Sequence, residues 1–343
     1  MQYVFYVLLM LLMFGIMIFI HEFGHFFTAR LCGVSIKEFS VGMGPRLLSW
    51  KSKKYETQYG LRLLPIGGFV SMVGEDEESD DQNAFCNKSV WKRMIIVLTG
   101  PVMNLIFGFL LMAIMVFSMG NLASTTVADF AEDATSNIQL QVGDEITHVN
   151  GTRVHTGNEL VYEIMNQAHE PIDIRVIRNG EAQTLTDVAF PTTVESGITF
   201  GSFDFYVAKE ETTPLTLLKH SFWRSVSTVK MVGDSLVGLL SGRFGMESIS
   251  GPVGVVEAVE TAADSGAWNV FYLVIVLSIN LGVFNLIPFP ALDGGRFLFL
   301  AIEGVRRKPL NRNVESYVNF VGIMILFALM IFVTVKDVLH LFG

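Results

Sequence analysis

The stretch VFYVLLMLLMFGIMIFIHEFGH, residues 4–25, decides the fold because it places His21-Glu22-Phe23-Gly24-His25 at the end of a long apolar run. Two helical side chains four residues apart lie about 40° apart around the helix axis, so both imidazoles face the same side. Two His at this spacing, with a Glu beside the first, are typical of a zinc pair with a general base. An ionisable group inside a membrane segment costs about 2.5 kcal/mol or more, which favours a functional site over a chance HExxH in an interfacial helix.

The composition indicates several membrane spans combined with a polar domain. Hydrophobic residues make up 51% of the 343 residues, with 28 Phe and 16 Met, which is too apolar for an ordinary soluble protein. The first apolar run is not expected to be a cleaved signal peptide, because it lacks a basic start and carries the metal motif. Four segments are long enough to cross a bilayer core of about 30 Å: Val4–Ala29, Met94–Met119, Val270–Ile287 and Tyr317–Leu341.

The net charge is −9, but the charged residues are distributed unevenly along the chain. The segment between the third and fourth spans is basic, whereas residues 121–268 are strongly acidic. The segment between the first two spans is basic as well, with Arg30, Lys37, Arg46, Lys51, Lys53, Lys54, Arg62, Lys88, Lys92 and Arg93. By the positive-inside rule both basic segments are cytoplasmic, so we expect both termini and the acidic middle domain on the outer side.

The segment after the first span reads as strands rather than helix, with alternation through Tyr55–Leu64. Apolar strands beside a membrane-embedded site predict a re-entrant hairpin, which is tolerated at that depth only when protein buries it or it lines a wet cavity. The acidic run Glu75–Asp81 is expected to be a solvated loop. Cys32 and Cys86 both fall on this cytoplasmic side, so we expect reduced thiols, with Cys32 structural rather than a metal ligand.

The outer segment predicts a compact β-rich domain. A short strand ends at the Asn150-Gly151 turn, Asn158–Gln167 reads as a helix, and residues 172–189 read as a hairpin around Asn179-Gly180. This pattern resembles a PDZ domain, a module that binds extended peptides as an added strand. A helix starting at Thr213-Pro214 follows, with an apolar stripe that suits either the membrane surface or packing on the domain.

Zinc held by two His needs a third protein ligand and keeps one position open for water. That ligand must lie at membrane depth, and the acidic residue that fits is Asp293, in Asn285-Leu286-Ile287-Pro288-Phe289-Pro290-Ala291-Leu292-Asp293-Gly294-Gly295. The two prolines are expected to break the helix there, so that the segment must pack against protein. The alternative is a simple cytoplasmic turn in which Asp293 acts as a cap.

Four motifs together resemble the site-2 protease family (M50) of intramembrane zinc metalloproteases. They are HExxH in the first span, Asn285-x-x-Pro-x-Pro-x-Leu-Asp-Gly in the third, Gly100-Pro101-x-x-Asn104 in the second and Ser250-Gly251-Pro252-Val253-Gly254 before the third. The resemblance covers almost the whole chain and is nearest to the bacterial RseP/RasP-like branch, here with one PDZ domain.

The resemblance implies regulated intramembrane proteolysis in a bacterial cytoplasmic membrane. It assigns Zn²⁺ to His21, His25 and Asp293, and catalysis to Glu22, near the cytoplasmic side. It implies hydrolysis of transmembrane segments of single-pass membrane proteins, such as anti-sigma factors or signal-peptide remnants, after an upstream site-1-type protease has acted. Membrane lipid is the other expected partner, and nucleic acid is not expected. We expect five residues to bind substrate: Asn285, Gly67, Gly68, Pro288 and Pro290.

The predicted fold is a polytopic α-helical membrane protein with four transmembrane helices, a membrane-associated β-hairpin and an inserted extracytoplasmic PDZ-like β-rich domain. The expected segments are a first span with HExxH (1–33), a cytoplasmic-side loop with the hairpin (34–93), a second span (94–119), the PDZ-like domain (120–209), an amphipathic interfacial region (210–269), a third span with the LDG motif (270–295), a cytoplasmic loop (296–316) and a fourth span (317–343).

Two other classes of function are weighed against a protease. A catalytically inactive zinc-binding PDZ scaffold would have a saturated metal site, whereas this sequence offers three good ligands and a base. A transporter would account for intramembrane charges and broken helices, but transporters usually carry inverted repeats and this sequence has no internal repeat. For Asn285, hydrogen bonding to the developing oxyanion or to substrate backbone stays open beside a helix-end role.

Overall fold

The computed structural model describes residues 2–53, 56–75, 77–120, 122–195, 198–245 and 249–342, with backbone alone at residues 65, 66, 195 and 340–342. Expectations for Met1, Lys54, Tyr55, Asp76, Asn121 and Gly343 lie outside the described residues. The helices are α1 (Gln2–Leu31), α2 (Val90–Met119), α3 (Gly157–Gln167), α4 (Pro214–Leu240), α5 (Pro252–Asp264), α6 (Ala267–Leu286), α7 (Asp293–Arg306) and α8 (Arg312–Phe342).

Four helices are long and apolar enough to cross a membrane: α1, α2, α6 and the part of α8 from Arg312 to Leu339. They coincide with the four segments that hydropathy singles out. Only 11–28% of the residues in their most apolar stretches are buried within the protein, as expected for helices that also face lipid. The protein is therefore a membrane protein. Its chain divides into two compact units: residues 1–108 with 246–343, and residues 109–245.

The predicted hairpin is a sheet of β1 (Ile36–Lys51) and β2 (Gln58–Met72) in which part of β1 has partners on both sides. Phe39 pairs with Val70 on one side and with Tyr59 on the other. The chain then reverses near Gly42 and Gly44, whose φ angles of +86° and +84° suit glycine. Residues 46–51 fold back onto β2, so among the described pairings residues 68–72 form an outer edge of the sheet.

Helix α7 corrects one expectation, because residues 296–316 are predicted to be a cytoplasmic loop and the helix instead continues to Arg306. Its charged residues suggest a loop, but Phe297 and Leu300 pack into a core with Ala29, Val34 and other apolar side chains of the first unit. The third span also differs from its predicted extent of 270–295. Helix α6 ends at Leu286, and Asp293 begins a separate helix after the two prolines.

Helix α5 packs inside the first unit. Val256 and Val259 are buried against Tyr6, Met13 and Met17 of α1, and Ala263 packs against the same cluster. Tyr6 donates its hydroxyl proton to Asp264 at the end of α5, at 2.8 Å. Residues 210–269 are expected to form an amphipathic interfacial region. They also contain α5, a helix that packs against the first span.

The second unit contains a sheet with the order β10-β3-β4-β6-β7, with β5 paired to β4. The strands are β3 (Leu122–Phe130), β4 (Glu145–Val149), β5 (Thr152–Arg153), β6 (Ile172–Arg178), β7 (Glu181–Val188) and β10 (Phe205–Glu210), with a separate pair β8 (Thr192–Glu195) and β9 (Ile198–Gly201). The predicted helix and hairpin are confirmed as α3 and β6–β7. A capping box of Thr156 and Glu159 starts α3.

Helix α4 packs on α3 and on the residues just before it, through two polar contacts and one ring stack. Tyr162 donates to Asp234 at 2.8 Å, Lys230 lies 3.0 Å from Glu163, and His155 stacks on Trp223. Its buried side chains are mostly small or polar, whereas Leu218 and Phe222 of the predicted stripe are exposed. Packing on the domain is thus confirmed. The predicted stripe is divided, because Val232 is buried whereas Leu218 and Phe222 stay exposed.

Candidate metal centre

His21 and His25 face each other from successive turns of α1. Their Nε2 atoms are 3.2 Å apart, and their ring centroids are 4.8 Å apart. Both residues are almost fully buried, with exposures of 9% and 8%. The i, i+4 spacing therefore brings both imidazoles to one point, as the sequence predicts.

Asp293 reaches the same point from the first position of α7. Its Oδ2 atom lies 2.9 Å from His21 Nε2 and 3.3 Å from His25 Nε2. Two contacts with α8 hold the loop that precedes Asp293. The Ala291 N–H donates to Asn319 Oδ1 at 3.1 Å, and Pro290 lies against Gly322. Ala291 adopts a φ of +75°, which is unusual for a residue with a side chain.

The three atoms fit a zinc ion. Four ligands at about 2.0–2.1 Å in tetrahedral geometry lie about 3.3 Å from one another, and the Nε2–Nε2 and Nε2–Oδ2 distances are 3.2, 2.9 and 3.3 Å. Asp293 Oδ2 is buried and has no aligned hydrogen-bond donor among the described residues. Three converging atoms that can each offer a lone pair are what a cation requires. Among the described residues, this is the one group of three or more His, Cys, Asp or Glu side chains placed to hold a metal ion.

Helix α2 forms one wall of the centre. Gly24 of α1 and Gly100 of α2 allow the two backbones to approach, since a Cβ on Gly24 would lie 2.5 Å from Thr99 O. A Cβ on Gly100 would overlap His25 Nε2 and lie 2.8 Å from His21 Nε2, in the space where the ligand atoms converge. Glycine is therefore required at position 100 for the centre to stay open.

The outer nitrogens of both imidazoles also contact α2. His25 Nδ1 lies 2.9 Å from the Ile96 carbonyl oxygen, and His21 Nδ1 lies 3.3 Å from the Asn104 side-chain amide. Partners at Nδ1 orient metal-binding imidazoles and set their tautomer. Gly100 and Asn104 belong to the motif of the second span, but the sequence alone predicts no role for either. The position of a polar residue, Asn104, inside a span was a signal that could have pointed to one.

Glu22 lies beside the imidazoles but points toward the sheet. Its Oε2 atom accepts the Val70 N–H at 3.0 Å, and Gly68 lies close to its side chain. This contact places the carboxylate between the ligand helix and the outer edge of β2. The role of Glu22 as general base stays a prediction.

The expected substrate residues lie in two segments, β2 and the stretch from the end of α6 to the start of α7. Gly68 is next to Glu22, and Gly67 packs against Met43 and Ile18. Pro288 and Pro290 lie in the loop that delivers Asp293. Asn285 donates its side-chain amide to the Leu281 carbonyl of its own helix at 3.0 Å, which matches the helix-end alternative. Cys32 packs against the core around Ala29, apart from the metal centre.

Residues 9–329 match the sequence model of peptidase family M50. The chain belongs to peptidase family M50. A protein of Clostridium acetobutylicum named as a zinc metalloprotease is 35% identical over 336 residues, which cover 98% of each chain. Another zinc metalloprotease by name, from Fusobacterium nucleatum, is 32% identical over 343 residues, covering 98% of this chain and 99% of its own.

The regulator of sigma-W protease RasP of Bacillus subtilis is 28% identical over 419 aligned positions, which cover 98% of this chain and 99% of its own. The match between whole chains, together with the M50 model, identifies this M50 protein as a zinc metalloprotease of a bacterial membrane. The expectations of a protease and of Zn²⁺ as its cofactor are thereby confirmed.

Proposed function

We propose that this M50 protein is an intramembrane endopeptidase that hydrolyses peptide bonds in transmembrane segments of single-pass membrane proteins. One observation carries the proposal: ligand atoms of His21, His25 and Asp293 converge within 3.3 Å of one another. The two His lie on α1, which is itself long and apolar enough to span a membrane, and Asp293 begins α7. A hydrolytic centre on such helices acts on chains that lie in the membrane.

The chemistry divides between the metal and this chain's own residues. When bound, zinc polarises the scissile carbonyl and makes water a better nucleophile near neutral pH. Glu22 takes a proton from the attacking water and passes it to the leaving amide nitrogen. His21, His25 and Asp293 supply three ligands, which leaves a coordination position for water or substrate. No covalent intermediate with the protein is needed.

We propose that substrate binds as an extended strand along residues 68–72. The support is that this segment is an outer edge of the sheet and donates its Val70 N–H to Glu22. A strand edge without a neighbouring strand is a template for another strand. A substrate strand would displace the carboxylates of Glu22 and Glu75, which accept the Val70 and Met72 N–H groups. A helical substrate hides its amides in internal hydrogen bonds, so it must unwind locally before it pairs.

The proposal also covers the orientation of the chain in the membrane and the role of residues 120–209. The basic segments support a cytoplasmic position for the loops that follow the first and third spans, with residues 120–209 on the outer side as a PDZ-like peptide-binding domain. The RasP relative is named as a regulator of sigma-W. We accordingly include anti-sigma factors, already shortened by an upstream site-1-type protease, in the proposed substrate class.

The test is cleavage of a tagged single-pass substrate by purified protein in detergent, with zinc content measured on the same samples. Glu22→Gln should lose cleavage by about 10²-fold or more while keeping zinc, since proton transfer is removed and the ligands are not. Glu56→Gln is the matched control. Its side chain is 85% exposed and lies in the turn that connects β1 to β2. Equal cleavage by Glu22→Gln and wild type would assign the proteolysis to another site. Zinc binding without cleavage of any substrate by wild type would favour the scaffold.

A further inference from the structure

Asn104 is a buried polar side chain in a membrane helix, and the mechanism above gives it no role. It is fully buried, and its side chain faces His21 Nδ1 at 3.3 Å. Its other side-chain polar atom, Oδ1, is buried without a hydrogen-bond partner among the described residues. A buried polar atom without a partner is unfavourable, so its surroundings need an explanation.

The orientation of the amide follows from the chemistry of His21. Nε2 of His21 points to Asp293 Oδ2, at 2.9 Å, and must offer a lone pair to bind a metal. The neutral imidazole then carries its proton on Nδ1, which becomes a donor. An amide NH₂ placed against that donor cannot form a hydrogen bond, whereas the side-chain carbonyl can accept it.

The nitrogen and oxygen of an Asn amide are nearly identical in shape, and the hydrogen-bond network decides between them. A half-turn of the amide places the carbonyl oxygen on the His21 N–H and puts the NH₂ group in the buried position that Oδ1 now occupies. The pair then matches His25, whose Nδ1 lies 2.9 Å from the Ile96 carbonyl oxygen. Each imidazole would donate to one carbonyl oxygen of α2.

The backbone around Asn104 is held firmly enough for such a role. Ser278 of α6 donates to the Asn104 carbonyl oxygen at 2.9 Å, and Ser278 is fully buried. One turn away, Gly282 allows α6 to approach Leu105 and Pro101 closely. Because α2 and α6 are in contact here, the side chain of Asn104 has little freedom to move away from His21.

We propose that Asn104 is a positioning residue of the metal centre, which accepts the His21 Nδ1–H through its side-chain carbonyl and directs Nε2 to the metal. This inference rests on the zinc ligands of the proposed function. It goes beyond them because it names which outer partner sets the His21 tautomer. Loss of such a partner lowers metal affinity about 10- to 100-fold in zinc proteins.

The experiment measures zinc affinity of the full-length protein in detergent by competition with a chromophoric chelator, and the visible spectrum of the Co²⁺-substituted protein. Asn104→Leu, of similar size and without an acceptor, should bind zinc about 10- to 100-fold more weakly and show an altered Co²⁺ spectrum. Asn104→Asp keeps an acceptor and should stay within a few-fold of wild type. Ser225→Ala on α4, which removes a fully buried hydroxyl bonded within its own helix, is the control and should also stay close to wild type.

Wild-type affinity in Asn104→Leu, or equal losses in Asn104→Leu and Asn104→Asp, would overturn the positioning role. If Asn104→Leu does not yield monodisperse protein, Asn104→Ala replaces it with the same expectation. His25→Ala separates the two proposals, because it should abolish tight binding if the ligand set is correct. Tight zinc binding by His25→Ala would overturn the ligand set and this inference with it.

Discussion

The Oδ2 atom of Asp337, on α8, lies 2.8 Å from the backbone nitrogen of Gly251 and accepts its N–H. The same oxygen accepts the Gly254 N–H at 3.1 Å. Gly251 is the cap residue of α5 and has no side chain to satisfy the free N–H groups at that helix end. A carboxylate from another helix does so instead, and its negative charge suits the positive end of the helix dipole.

Asp337→Ala is therefore expected to destabilise the protein by about 1–2 kcal/mol, because it leaves buried N–H groups without an acceptor. Thermal unfolding of purified protein in detergent measures the loss. Asp337→Asn is the comparison, since it keeps an acceptor oxygen and should lose less. An Asp337→Ala protein that unfolds at the wild-type temperature would contradict this role for the carboxylate.

Gly100→Ala should abolish zinc binding without unfolding the protein. The added Cβ would overlap His25 Nε2 and occupy the space between the ligand atoms, whereas alanine favours the helix itself. Metal analysis of the purified variant, with circular dichroism for helix content, tests this. Gly304→Ala on α7 is the control, because its Cβ would meet only Val90 at an ordinary 3.5 Å. A Gly100→Ala protein with a full complement of zinc would show that the metal lies elsewhere.

Ala291→Gly should raise stability by about 0.5–1 kcal/mol. A left-handed backbone costs a residue with a Cβ about 1–2 kcal/mol, and the greater entropy of unfolded glycine offsets part of the gain. Arg307→Gly offers a matched control, since Arg307 has a φ of +55° at the end of α7, away from Asp293. Both variants should melt at higher temperature. Lower stability of Ala291→Gly alone would mean that the methyl group contributes packing that outweighs the strain.

The stability of the second unit should depend on the charge of Glu210. Partial burial raises the pKa of this carboxyl, but hydrogen bonds from His220 and Lys219, at 2.8 and 2.9 Å, outweigh burial and hold it below its usual 4.5. A carboxyl with a lowered folded-state pKa stabilises the fold above its unfolded pKa and loses that contribution as the pH falls through the folded pKa.

Glu210→Gln should therefore cost up to about 1 kcal/mol at neutral pH, a modest value because the ion pair is partly exposed. The difference between variant and wild type should shrink toward zero below the usual pKa of 4.5. Denaturant unfolding at neutral and acidic pH measures both quantities. A difference that stays constant between the two would rule out a titrating Glu210 as the cause.

Substrates that unwind readily should be cleaved faster. Replacing two Gly residues near the cleaved bond by Leu makes the helical state more favourable by about 1.5 kcal/mol, so cleavage should slow about tenfold. Rates for matched substrate pairs at equal concentration test this, with a Gly-to-Leu pair far from the cleaved bond as the control. Equal rates for both substrates would mean that unwinding is not limiting.

The spacing of residues along the sequence predicts much of the metal centre. His21, Glu22 and His25 follow from helix periodicity, and Asp293 follows from the need for a ligand at membrane depth beside a helix break. Contacts between distant elements are not visible in such patterns. Asn319 supports Ala291 and Asp337 caps α5 because α8 approaches two other segments, which no periodicity encodes. Residues 296–306 read as a loop from their charges, and only the core around Leu300 explains the helix.

The order of these elements along the chain has a consequence for biosynthesis. The His pair is made first, but Asp293 and its loop depend on Asn319, and the helix packed on α1 depends on Asp337. Both supports lie on α8. We therefore expect the metal centre to gain both supports only once α8 has been translated and inserted. Until α8 is in place, the Ala291 N–H lacks its acceptor and the loop that carries Asp293 is held less firmly.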